Sequence, residues 1–165
     1  MNSVLKNLEE KLASYSKKEL NTRPNPESWS PLQALYHLFL SEGYALSYCQ
    51  KKLSFNPSIK KASLLARIRS FLVVGYLSSP LKFKAPKAVN SSAMPDELEL
   101  SELTGKWLAQ RDELITFLEK VPQSYLNTEF YKHPFGGRLS LSGMLSFLNA
   151  HFKRHQKQAL RALPH

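Results

Sequence analysis

The chain has almost no cysteine: Cys49 is the only one. That excludes an intrachain disulfide and a cysteine-built zinc site, and makes a reducing, cytoplasmic compartment the default expectation. Long apolar runs are missing as well. The longest, Phe71 to Leu77, is far too short to span a bilayer. The opening MNSVLKNLEEKL interleaves charged and apolar residues and does not read as a signal peptide. There is no internal repeat, no low-complexity tract, and no alternating stretch that reads convincingly as a strand. Acid is missing over the widest range: Gly43 to Pro95 contains no Asp or Glu.

What remains is globular. With 165 residues, 42% apolar and 22% charged, the chain fits one domain, 1–165, with room for a core. The net charge of +10 sits largely in the acid-free stretch, on Lys51, Lys52, Lys60, Lys61, Arg67, Arg69, Lys82, Lys84 and Lys87. Such a face attracts phosphates, anionic lipids or an acidic ligand, or simply keeps the protein solvated. The interleaved aromatics Phe55, Phe71, Tyr76 and Phe83 follow no nucleic-acid module, so nucleic acid is not an expected partner.

The apolar spacing predicts helices. Ser3 is a cap for a first helix to about Tyr15 or Leu20, with Val4, Leu8, Leu12 and Tyr15 on its stripe. Asn21 to Pro26 is a rigid connector. Trp29-Ser30-Pro31-Leu32-Gln33 is the sharpest helix start: Ser30 as N-cap, Pro31 in the first helical position, Gln33 closing a capping box. That helix should run to about Leu53, burying Leu32, Leu35, Phe39, Leu46 and Leu53. His37 lies on a polar line with Gln33, Ser41 and Tyr44, which suits either the wall of a small wet cavity or an exposed face.

A shorter apolar helix, Ala62 to Leu77, should turn its basic positions outward, and a long loop should follow from Pro80 to Pro95. Pro95-Asp96 opens the next helix, with Leu100, Leu103, Trp107, Leu114, Ile115 and Leu118 facing inward and Pro122 closing it. His133-Pro134-Phe135-Gly136-Gly137 is an abrupt turn. The last helix, capped by Ser140 or Ser142, carries the stripe Leu141, Met144, Leu145, Leu148 and Phe152 to about Ala162. These elements make an all-α fold: an antiparallel four-helix bundle with a long connection after the second helix and one extra short helix.

His151 and His155 continue that last stripe, four residues apart on one helix face. Two inward imidazoles in adjacent turns carry polar nitrogens that need partners. A shared metal ion supplies one reason, since neutral imidazole is the commonest metal ligand. A hydrogen-bonded core His151 with His155 at the solvent edge is the other reading.

Taken together, Trp29-Ser30 before a helix bearing His37-Leu38, the mid-chain Lys84-Ala85-Pro86-Lys87, His133-Pro134-Phe135-Gly136 and the final His151-x-x-x-His155 resemble the DinB-like superfamily, over about Pro24 to Gln158. That superfamily includes the YfiT-like metal-dependent hydrolases and the bacterial thiol S-transferases. The resemblance implies a four-helix bundle holding a divalent ion (zinc, nickel or iron) near one end, with His37, His151 and His155 as ligands. Three histidines with open positions is the catalytic rather than the structural pattern. No general acid or base is singled out. Glu27 and Tyr44 are candidates to support the site. Glu42 lies about 140° round the helix from His37. His133 reads as structural or as part of the rim, and His165 is terminal.

Two functions are therefore expected to compete. One is a metal-dependent enzyme, a small-molecule hydrolase or thiol S-transferase, whose ion activates a water or a low-molecular-weight thiol. The other is a non-catalytic bundle that binds an acidic partner through its basic 43–95 segment. A homodimer is compatible with either.

Overall fold

The computed structural model describes residues 2–55, 57–58, 60–77, 79, 89, 94–95 and 97–164. The fold is all-α, with helices α1 (Asn2–Leu12), α2 (Lys17–Asn21), α3 (Pro31–Ser54), α4 (Leu64–Leu77), α5 (Leu100–Lys120) and α6 (Leu141–Arg161). A 3-10 helix (Gln123–Asn127) and a hairpin of β1 (Tyr131–His133) and β2 (Gly137–Leu139) precede α6. The Lys84–Lys87 motif, Asp96 and His165 lie outside the described residues, as does most of the expected Pro80–Pro95 connection.

Contacts divide the chain into two compact units. The first comprises the described residues of 1–41, 84–115 and 155–165. Leu5, Leu8 and Leu12 of α1 form its fully buried stripe, with Leu32, Leu35 and Leu38 of α3 and Leu103 and Trp107 of α5 also in this unit's core. The buried Arg111 guanidinium lies 4.7 Å over the Trp107 ring.

The N-terminal region departs from expectation. Ser3 lies inside α1, and the chain breaks after Leu12 to restart at α2. Ser16 and Glu19 explain the restart. The Ser16 side chain accepts the Glu19 N–H, and the Glu19 carboxylate accepts the Ser16 N–H at 2.7 Å, a capping box that starts a new helix. α3 begins as its sequence indicates, with reciprocal Ser30–Gln33 bonds of 3.2 Å. α5 starts at Leu100, later than expected. Glu97 and Glu99 precede it and meet Lys17 Nζ at 2.9 and 2.7 Å. Its expected inward residue Ile115 is exposed.

The second unit comprises the described residues of 42–83 and 116–154. Its core gathers Leu46, Cys49, Phe130, Leu139, Leu141, Met144 and Leu148. Lys52 Nζ donates to the carbonyls of Glu129 (3.0 Å) and Phe130 (2.8 Å), tying α3 to the chain entering the hairpin. The hairpin pairs Tyr131 with Leu139 and His133 with Gly137, and Gly137 takes a φ of +69° that a glycine adopts without strain. Strands of three residues are too short for alternation to announce them. α4 packs against this hairpin and α6. A Cβ on Gly143 would stand 3.2 Å from Ser70 Cβ and 3.1 Å from Ser140 Oγ, so that glycine admits α4 to the start of α6.

Candidate metal centre

Each prospective ligand is positioned by a local device. The Ser30–Gln33 box fixes where α3 begins, and His37 follows two turns later. His37 is buried, whereas Tyr44 on the same line is exposed, so the exposed-face alternative fails at the histidine itself. Its Nδ1 lies 2.7 Å from the Val89 carbonyl oxygen. A carbonyl only accepts, so Nδ1 carries the proton and the ring's lone pair is on Nε2. Burial pushes the His37 pKa down and the Val89 bond partly opposes that shift, which keeps the ring in the neutral form that binds metals.

α6 supplies the other two. Ser140 caps it, its Oγ accepting the Gly143 N–H at 2.9 Å, and Ser142 supports the cap from 3.0 Å. Leu141, Met144, Leu148 and Phe152 are buried along its inner face. His151 is buried on the same face and stacks on Phe147, one turn earlier, at 5.2 Å and 19°. His155 is half-buried. Its ring centre lies 4.7 Å from that of His37, and Trp29 contacts both, at 4.8 Å from His37 and stacked 5.8 Å from His155. His155 Nδ1 lies 2.8 Å from Gln158 Oε1, an acceptor that again leaves the lone pair on Nε2.

One ligand atom from each of His37, His151 and His155 lies within 4.8 Å of the other two. A tetrahedral ion with bonds of about 2.0–2.1 Å needs donors roughly 3.3 Å apart, which modest ring rotation would supply. Neutral imidazoles suit zinc, nickel or iron. The donor set therefore fits a divalent ion.

The remaining candidates fall elsewhere. Glu27 and Tyr44 are exposed. Glu42 is buried but is not one of the clustered ligands. His133 locks the hairpin: its Nδ1 accepts the N–H groups of Phe135 (3.2 Å) and Gly136 (2.8 Å), and its ring meets Phe147 edge-on at 4.4 Å. Burial pulls its pKa down to about 4. The sequence reading missed two orienting groups. Gln158 was visible as a residue one turn beyond His155. Val89 acts through its backbone carbonyl, for which no side-chain signal exists.

No curated protein and no solved structure matches the chain. A family model does, over residues 2–159, a range that takes in all three clustered histidines. The chain belongs to the DinB superfamily.

Proposed function

We propose that His37, His151 and His155 are the ligands of a divalent metal ion, and that the protein is a metal-dependent enzyme acting on a small molecule, either as a hydrolase or as a thiol S-transferase. The observation that carries this reading is the convergence of three imidazole ligand atoms within 4.8 Å. It is supported by acceptors on the Nδ1 atoms of His37 and His155, which present Nε2 to the ion. A bound ion would supply Lewis acidity and bring the pKa of a water or thiol toward neutrality.

The chain's own part is orientation and shielding. The Val89 carbonyl and the Gln158 amide fix two rings. Trp29 stacks on His155 and meets His37 at a tilt, and Phe147 stacks on His151, so aromatic rings pack against all three imidazoles. Three protein ligands leave room for a reacting molecule, as catalytic rather than structural zinc sites do. The low-molecular-weight thiol is the cosubstrate of the transferase form of the reading.

The test is elemental analysis of protein purified without an affinity tag, on the parent and on His37→Ala, His151→Ala and His155→Ala. The parent should hold about one equivalent of metal, and each variant much less at the same free-metal concentration. Variants that keep the parent's metal content would overturn the ligand assignment.

A further inference from the structure

α4 wears its apolar side outward. Leu64, Leu65, Ile68, Phe71 and Leu72 are 72, 61, 45, 77 and 60% exposed, while Ala66 is buried. The expectation that basic residues would form the outer face holds only at its edges. At 100° per residue the five exposed apolar residues fill an arc of about 120°, and Arg67 and Arg69 lie about 40° beyond either end of it. Both arginines are exposed. The opposite side is what seats the helix, through Ser70 on Gly143 and Val73 on Gly136.

The surroundings extend the pattern. Phe135 is also exposed, and it lies in the turn of the hairpin that packs on α4. Lys60 and Lys61 precede the helix and are exposed. The sequence offers no acid from Gly43 to Pro95 to balance them. Among the described residues, a carboxylate that does reach this region is Glu129. Its Oε1 accepts the Ser63 hydroxyl at 2.8 Å, and Arg69 and Arg138 act on it electrostatically.

We propose that this face of α4 docks on an anionic lipid surface, with Phe71, Leu72, Leu65 and Ile68 entering the acyl boundary and Arg67 and Arg69 meeting the headgroups. The shape fits. A helix of 14 residues is about 21 Å long, and none of the described helices is long and apolar enough to cross a membrane, so α4 lies on the surface. Arginine at the borders of an apolar arc keeps its stem in the apolar layer and its head among phosphates. A second copy of the chain fits less well. It would bring the same positive rim against this one, with no carboxylate of its own α4 to relieve the repulsion.

The test uses the full-length protein and extruded vesicles of phosphatidylcholine, alone or with about 30% phosphatidylglycerol, read by co-sedimentation at low and high salt. The protein should partition onto the anionic vesicles about tenfold or more above the neutral ones, and high salt should weaken that partition. Phe71→Ser/Leu72→Ser and, separately, Arg67→Glu should each reduce it about tenfold. All these side chains are exposed, so circular dichroism and thermal melting should match the parent. No partition, or partition insensitive to both variants, overturns the proposal. So does a two-copy mass in light scattering that Phe71→Ser converts to one copy while vesicles stay unbound, since a second copy would then cover the face.

Discussion

Replacing His133 by asparagine separates a proton-linked part of the stability from the rest. In the folded chain the His133 ring is buried and its pKa is drawn down to about 4. An unfolded histidine titrates near 6.5. Between those values the unfolded chain binds a proton that the folded chain refuses, so stability rises with pH across this window and levels off above it. The gap of about 2.5 units at 1.36 kcal/mol each sets an upper limit of about 3 kcal/mol lost from pH 7 to pH 4 through this residue. The geometry gives the reason. Nδ1 accepts two backbone N–H groups, and a proton there would face two donors and release the turn. Asparagine keeps a side-chain acceptor that can serve such a turn, but it does not titrate. Urea unfolding of parent and variant, at steps from pH 4 to 7.5 with a chelator present throughout, gives the difference in stability at each pH. That difference should shift in the variant's favour by about 2–3 kcal/mol as the pH falls to 4. A difference that stays flat would refute the argument, because His133 would then titrate alike in both states.

Four further outcomes are expected. Gln158→Leu removes the acceptor that orients His155 and should weaken metal affinity about 10–100-fold, measured by competition with a chromophoric chelator; unchanged affinity would remove Gln158 from the site. Because burial lowers the His37 pKa, protons should compete with metal only at acid pH, and the midpoint of metal release in a pH titration should fall below about 6.5; release at neutral pH would contradict the buried, neutral ring. Gly143→Ala crowds Ser70 and Ser140 and should cost about 1–2 kcal/mol in urea melts despite the better helix propensity of alanine; a gain in stability would mean that α4 is not seated there. Trp29 touches two of the three clustered rings, so cobalt(II) should quench its fluorescence, and Trp29→Phe should abolish that quenching while leaving metal stoichiometry intact.

Where chemistry is local, the sequence was legible. The start of α3 follows from Ser30, Pro31 and Gln33 alone, because the bonds that begin a helix join residues three apart. The stripe of α6 and its two histidines follow from helical spacing in the same way. His37 was ambiguous because a polar line reads alike on a cavity wall and on a surface. Its burial involves Trp29, on the connector before α3, but also His155, distant in sequence, and the Val89 carbonyl, hidden in the backbone. The break after α1 was missed because an apolar stripe at Leu12 and Tyr15 continues past it, while the Ser16–Glu19 box that restarts the chain competes locally. The outward apolar face of α4 could not be read at all. A mostly apolar helix looks the same in sequence whether its neighbours surround it or flank one side.

The lone sulfhydryl has a consequence for chemistry and for experiment. Cys49 is buried, its Sγ 3.4 Å from Met144 Sδ, and burial pushes its pKa up to about 12. At neutral pH it is neither a nucleophile nor a ready target for alkylation. Any thiolate that reacts in this protein must therefore arrive from outside. A cysteine installed at position 71 would be the one reactive handle on the molecule, so an environment-sensitive dye could be placed there without first stripping the native residue.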